Sequence, residues 1–460
     1  GRFGRLDYVT CWYKRAAAFI QGTQTRVGFV STNSISQGEQ VGILWGCLNA
    51  LGVRIHFAHR TFPWQSEARG KAHVHVVIIG FGVCDVPAKK LYDYADGETP
   101  TASEVRGISP YLVEGGQTVL PSRTSTPRGM PQMKKGSQPT DGGNLILTDS
   151  ERVELLDQEP GAEKWLRPFI GGEELLNGGR RWCLWLKNIS LPELRALPQV
   201  QARVEKVRAS RLKSPTASVR QFADYPTLFT QDRQPDHDYL AVPEVSSETR
   251  RFIPIAFLPA TVIASNKLQI IVGGTLFHFG VLSSTMHMAW VRVVSGRLES
   301  RYSYAPAVYN NFPWPQLDAP GYIQTVPCAD GLCVREAAAR LHWSSYHEGG
   351  ETEDVPLMAK HANTCLKGGS KKIAAVEAAA RKVLAARARN PTSTLADMYD
   401  PLLMPPDLVR AHAELDRAVD RCYRAAPFTS DRQRVEFLFA LYEQYAAPLL
   451  PAQKAKRKAR

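Results

Sequence analysis

Apolar residues recur at helical spacing from the start of the chain. Leu6, Val9, Tyr13, Ala16, Ala17 and Ile20 fall on one face of a 3.6-residue repeat and predict an amphipathic helix over residues 6 to 20. A short β-rich run follows at Val27 to Ser31. The pattern then predicts a second helix from about Gly38 to Leu51, a strand from Val53 to Ala58 and another from His73 to Phe81. These strands are apolar at successive positions, so the expectation is an α/β sheet covered on both faces. The segment between the last two is too short for a helical crossover, which predicts that they pair antiparallel.

From about residue 83 to 150 the composition shifts to Pro, Gly, Ser, Thr and Lys, as in Pro121 to Pro131 and Gly136 to Gly143, and reads as a connecting region with long loops. Residues 151 to 315 mix helical patterns, near 150 to 166 and 191 to 212, with short β-like runs and a buried-looking stretch from Phe277 to Val294. A mixed α+β domain fits that mixture. Residues 317 to 369 have no clear periodicity. Residues 371 to 445 are strongly helical, with Ala-rich runs broken at Pro405-Pro406, and the chain closes on Lys454-Ala-Lys-Arg-Lys-Ala-Arg. No internal repeat is visible.

At 460 residues the chain can hold two to four domains of roughly 100 to 200 residues, which excludes a single small module. Lysine and arginine number 57 against 44 acidic residues, a formal charge of +13. That balance favours a polyanionic partner, with nucleic acid first among them. The eight cysteines are scattered without the dense spacing of a disulfide scaffold, so a reducing cytoplasm is expected. No apolar run reaches the roughly 20 residues that span a bilayer, and no membrane association is expected. The chain opens Gly1-Arg2-Phe3-Gly4, with a helical pattern almost at once, and reads as a fragment of a longer polypeptide.

Three separated segments carry a resemblance. The first is Leu6-Asp-Tyr-Val-Thr-Cys-Trp-Tyr with Phe29 to Val41 and Asn49 to Phe81. The second joins Thr140-Asp-Gly-Gly-Asn-Leu-Ile-Leu, Arg167-Pro-Phe-Ile-Gly-Gly-Glu-Glu, Arg181-Trp-Cys-Leu-Trp-Leu and Val242 to Glu248. The third runs through Phe277 to Trp290, Ser295-Gly-Arg-Leu-Glu-Ser-Arg-Tyr-Ser-Tyr and Tyr309-Asn-Asn-Phe-Pro-Trp-Pro. In this order and spacing they resemble the MmeI-like (type IIL) single-chain restriction-modification enzymes, which join an endonuclease, a methyltransferase and a target-recognition domain. The resemblance implies an α/β fold, part of a class I methyltransferase sheet, followed by a mixed α+β target-recognition domain and a C-terminal helical region. It implies these bounds: residues 1–85 for the second half of the methyltransferase domain, 86–316 for target recognition with its connecting loops, 317–370 for an atypical insertion or linker, and 371–460 for the helical domain. The implied activity is adenine-N6 methylation of double-stranded DNA with S-adenosylmethionine. The family's Asn-Pro-Pro-Tyr/Phe motif and glycine-rich cofactor loop do not occur here. The expectation is therefore that they lie upstream with the nuclease, that the chain is inactive alone, and that its catalytic residues are not among those present. A non-catalytic DNA-specificity protein working with a separate catalytic partner is the alternative. Half a methyltransferase sheet would expose an edge strand and apolar surface, so residues 1 to 85 in isolation are expected to aggregate.

The resemblance also points to residues. Methylating a base requires flipping it out of the stack and holding it between rings and edge hydrogen bonds. Phe62 and Trp64, in Thr61-Phe-Pro-Trp-Gln, are similar in position to the family's base-stacking aromatic and are expected on a loop; the other reading is a ring capping the core. Asp7 and Tyr8 open the first helix where related enzymes shape the cofactor's adenine pocket, although an acid there also complements the helix dipole. Glu299 and Arg301 match the positions at which the family reads base identity: arginine donates to guanine and glutamate accepts from the cytosine amino group. Two residues apart, on a strand or extended loop, they would share one face; a surface ion pair is the alternative. Arg123, Arg128, Lys134 and Lys135 suit phosphate contacts or a solvated loop equally. Cys328, Cys333, His342, His347 and Cys365 fit no standard zinc spacing, so no metal is expected, and His73 with His75 lack a third ligand. The pairs Gly115-Gly116, Gly142-Gly143 and Gly273-Gly274 read as turns.

Overall fold

A computed structural model of the chain describes residue 4 and residues 6–64, 74–94, 99–123, 125–126, 129–317 and 368–446. The chain folds into two compact units. One takes its described residues from 1–130, 286–315 and 426–460, the other from 131–285 and 316–425.

The first unit is built on a five-stranded sheet, β1 (Val27–Thr32), β2 (Arg54–Trp64), β3 (Val74–Gly82), β4 (Lys89–Asp93) and β5 (Thr101–Val105), in the order β1-β3-β2-β4-β5. Helices α1 (Val9–Phe19) and α2 (Glu39–Ala50) form where the apolar repeat places them. Tyr13 of α1, buried at the centre, meets Trp45 of α2, Phe29 of β1 and Phe81 of β3, and its hydroxyl lies 3.0 Å from Ser31 Oγ. The expected antiparallel pairing of β2 and β3 is present, with Arg54 opposite Gly82 at one end and Trp64 opposite Val74 at the other. The parallel β2–β4 pair sets His59 opposite Tyr92.

Three expectations change. The sheet is not covered on both faces: Val30, Phe57 and Trp64 are 51%, 36% and 47% exposed. The region from 83 to 150 is not only loops, since β4 and β5 extend the sheet there. Their sequences, Lys-Lys-Leu-Tyr-Asp and Thr-Ala-Ser-Glu-Val, are half polar because one side faces water. Phe62 and Trp64 stand on β2 rather than on a loop, because the register shift between His59 and Phe62 lets the strand continue through Pro63 against His75. The same unit includes residues 286–294 of the helix Thr285–Val294, whose Trp290 donates to Val308 O at 2.9 Å and packs on Phe439 and Tyr442.

The second unit has the expected α+β mixture. Strands Ala256–Leu258, Tyr239–Pro243, Leu268–Val272 and Met133–Lys135 make one sheet; Ile263–Ala264, Leu166–Ile170, Arg181–Leu184 and Ile146–Thr148 make another. Leu147, Phe169, Trp182, Leu184, Val200, Val204 and Val207 share its core. Helix Asp149–Gln158 starts on a reciprocal cap in which Glu151 N donates to Thr148 Oγ1 at 3.2 Å and Thr148 N donates to Glu151 Oε2 at 2.9 Å. The helical stretch expected from 191 to 212 is divided into Leu191–Arg195 and Pro198–Leu212. Pro198 lacks the donor a continuous helix needs and pushes Leu197 out of helical geometry. Helices Gly368–Ala388 and Pro406–Tyr423 confirm the helical C-terminal pattern and its break at Pro405. They pack on helix Leu276–Leu282, where a Cβ at Gly280 would sit 2.7 Å from Val376 Cγ1. No helix among the described residues is long and apolar enough to cross a membrane.

Candidate nucleic-acid interface

Pairing of β2 with β4 turns Ala58 and Leu91 into the core and leaves His59 and Tyr92 on the outer face. There the two rings stack at 4.1 Å, nearly parallel at 4°. His59 Nδ1 lies 2.7 Å from the Tyr94 hydroxyl, and Tyr94 in turn stacks on Phe62 at 4.5 Å. Partial burial pushes the His59 imidazole below its ordinary value and the Tyr94 phenol above its own. Arg60, the next residue, donates to Leu112 O at 2.9 Å and pairs with Asp93 at 2.5 Å. Phe62 therefore has one ring face covered by Tyr94. Trp64 lies beyond it, 6.5 Å from Phe62 between ring centres, with about half its surface open. The sequence singles out Phe62 and Trp64 but not His59, Tyr92 and Tyr94, which stand beside them; the alternation of aromatic positions along β2 and after Tyr92 was the available signal.

Glu299 and Arg301 belong to a hairpin of Gly296–Leu298 and Arg301–Ser303, in which Leu298 pairs with Arg301. They do not share a strand face: Glu299 occupies the two-residue turn, at φ +58°, and Arg301 begins the returning strand. That left-handed backbone costs a non-glycine residue on the order of 1 kcal/mol. Arg297 braces the turn, its guanidinium 3.9 Å above the buried Tyr302 ring and its Nη1 donating to Ser300 O at 3.0 Å. Glu299 and Arg301 themselves project at the tip, where their side chains pair at 2.7 Å while 77% and 44% exposed. An ion pair this open is worth roughly 0 to 1 kcal/mol, so either partner can be drawn off by a better one.

Asp7 stands just ahead of α1 rather than within its first turn, and Tyr8 is the N-cap residue. The Asp7 carboxylate accepts from Gln40 Nε2 at 2.7 Å while its backbone N donates back to Gln40 Oε1 at 2.8 Å, so the residue ties α1 to α2. Lys134 and Lys135 lie exposed on a strand, Lys135 paired with Glu244 at 2.7 Å. Arg123 is half-buried with its guanidinium 5.7 Å from the Tyr442 ring centre. Arg128, His73, Cys328, Cys333, His342, His347 and Cys365 lie outside the described residues. Gly142, Gly143 and Gly273 have the positive φ that tight turns require.

A buried arginine organises the second unit. Arg211 uses all five N–H groups on carbonyl oxygens: Nε to Thr140, Nη1 to Phe222 and Tyr225, and Nη2 to Pro139 and Leu228, at 2.7 to 3.1 Å. One side chain thereby fixes two chain segments, 139–140 and 222–228, against the helix Pro198–Leu212.

With this geometry in place, comparison with known proteins is direct. Three family models match in succession: the MmeI DNA-methyltransferase domain over residues 1–93, the MmeI target recognition domain over 114–316, and the MmeI C-terminal domain over 368–450. DNA methyltransferase A of Bacillus subtilis (strain 168) is 33% identical over 440 residues, which is 95% of this chain and 44% of that protein. The solved structure of the type IIL restriction-modification enzyme MmeI in complex with DNA superposes with a TM-score of 0.79 at 41% identity, covering 96% of this chain and 53% of that one. The chain thus spans about half the length of the relatives it matches.

Proposed function

The chain belongs to the MmeI-like family, and from that membership we propose that it reads a short double-stranded DNA sequence for an adenine-N6 methyltransferase of a restriction-modification system, working in the reducing cytoplasm. The observation that carries the reading is the succession of methyltransferase, target-recognition and C-terminal domains, in one order, with the fold of DNA-bound MmeI retained over 96% of the chain.

In this reading Glu299 and Arg301 contact base edges. Glutamate accepts from the cytosine amino group and arginine donates to guanine O6 and N7, so together they suit a G·C pair. Two features support the assignment. The turn holds Glu299 at a backbone conformation that glycine or asparagine would adopt at lower cost, and the exposed ion pair keeps both heads oriented while little opposes its opening. Phe62 and Trp64 form the aromatic wall for a base rotated out of the duplex, with Trp64 offering the free ring face and Phe62 backed by Tyr94.

The methyl group would come from S-adenosylmethionine in the intact enzyme. The residues of this chain do not amount to its pocket: the sequence has no glycine-rich cofactor loop, and the Asp7 carboxylate already holds Gln40. No transfer step is therefore assigned to them. The alternative reading is a specificity protein acting with a separate catalytic partner. In both, purified chain incubated with labelled S-adenosylmethionine and unmethylated duplex incorporates no label, and measurable incorporation would overturn the assignment of catalysis elsewhere. DNA reading itself is tested by selecting bound duplexes from a random pool: one short motif is expected, and binding without any motif contradicts it.

A further inference from the structure

Helices Gly368–Ala388 and Pro406–Tyr423 run antiparallel, and their seam begins as a ladder of opposite charges. Arg389 pairs with Asp407 at 2.8 Å, and seven residues back Lys382 pairs with Glu414 at 2.5 Å. The next step of seven would bring Ala375 opposite Arg421, and there the ladder loses its acids. The seam opens into a groove of about 460 Å³, floored by alanines, whose lining includes Lys371, Lys372, Lys382, Arg417 and Arg421 against the single carboxylate of Glu414. Lys382 already holds that carboxylate. Among the described residues Lys371, Lys372, Arg417 and Arg421 enter no ion pair, and all four are exposed.

We propose that this groove is a second DNA contact, binding the phosphate backbone without reading its sequence. The inference rests on the DNA-reading function above and adds to it a place and a chemistry. Five cations converge from two helices on the single carboxylate of Glu414, which Lys382 already holds, and the excess positive charge carries a self-repulsion that a polyanion relieves. Alanine on the floor lets a backbone come close where longer side chains would hold it away. The lining extends from Lys371 to Lys382, eleven residues or about 16 Å along one helix, which is too long for one phosphate. It suits a run of phosphates spaced at about 3.4 Å of rise per strand. The contacts are to phosphate alone, so they raise affinity equally for every sequence.

The test uses the full chain with Lys371→Gln, Lys372→Gln, Arg417→Gln and Arg421→Gln combined, since glutamine keeps the helices while removing the charge. Affinity is measured against salt for a duplex carrying the selected motif and for an unrelated duplex. The slope of log K against log salt is expected to shallow by about 0.9 for each phosphate no longer neutralised, roughly two to four in all. The loss should be equal on both duplexes, so the specificity ratio stays as in wild type. Arg417→Lys with Arg421→Lys should keep the wild-type slope. If the fourfold variant fails to fold, Lys371→Gln with Lys372→Gln at the helix start should still shallow the slope by about one to two. An unchanged slope in a folded variant overturns the groove while leaving the DNA reading intact. A wild-type chain that binds neither duplex overturns both.

Discussion

Replacing Arg211 tests whether one buried guanidinium holds the second unit together. Its five N–H groups satisfy five carbonyls, from Pro139, Thr140, Phe222, Tyr225 and Leu228. At a net 1 kcal/mol or so for each bond, Arg211→Met removes about 5 kcal/mol, less whatever is recovered by no longer burying a charge, for an expected loss of roughly 3 to 5 kcal/mol. Lysine keeps the charge but has three donors, so at least two carbonyls lose their partner and Arg211→Lys should cost about 2 kcal/mol. Urea unfolding gives the totals. Native-state hydrogen exchange locates them: the Gln138 and Gln231 amides, which donate to each other's carbonyls at 2.9 and 3.1 Å, should lose protection first. A methionine variant within about 1 kcal/mol of wild type, or a lysine variant as damaged as methionine, would refute the argument that the number of bonds sets the cost.

Other expectations follow from packing and charge. Gly42→Ala in α2, a change that normally steadies a helix by about 1 kcal/mol, should instead destabilise the chain, because the new Cβ would sit 2.4 Å from Leu120 O; a higher melting temperature would contradict this. Phe62→Ala should cost about 2 kcal/mol through loss of its stack on Tyr94, whereas Trp64→Ala should leave stability within about 0.5 kcal/mol and weaken binding to a duplex with a mismatched target base; equal melting losses in both would remove the distinction between backing ring and free ring. Burial lowers His278 to about 4 and His287 to about 3, and burial with the Arg387 charge lowers His412 well below the ordinary 6.5. Each is neutral in the fold and takes up a proton on unfolding, so its stabilisation is complete above pH 6.5 and declines as pH falls towards the folded value, by up to about 1.4 kcal/mol per pH unit for each histidine. Urea midpoints measured from pH 7.5 down to 5 should fall, and a flat profile would show that these rings are not held neutral.

Much of this architecture is legible in the sequence because burial imposes a period. Tyr13, Ala17 and Ile20 predict α1, and the apolar runs at 53–58 and 73–81 predict a hairpin that forms antiparallel as expected. Half-exposed elements escape the same reasoning. Strands β4 and β5 present one polar side to water, and nothing in Lys-Lys-Leu-Tyr-Asp distinguishes them from a loop until β2 is there to pair with. The continuation of β2 through Pro63 depends on a register shift against β3, which is a property of two strands rather than of either sequence. At the candidate site, Glu299 and Arg301 follow from the resemblance of their segment to a known family, but their placement in a hairpin tip depends on the turn and on Arg297 stacking over Tyr302. The His59–Tyr92 stack was hidden for the same reason: thirty-three positions separate residues that only strand pairing brings together.

The most direct test of target recognition is duplex selection from a random pool by the wild-type chain beside Glu299→Lys combined with Arg301→Asp. Both side chains are exposed at the hairpin tip, so the double variant should fold as wild type does. The account predicts one enriched motif for wild type and the same motif with a single base pair altered for the variant, since reversing donor and acceptor roles reverses the preferred edge. A variant that enriches the unaltered wild-type motif would contradict the assignment of these two residues as readers of base identity.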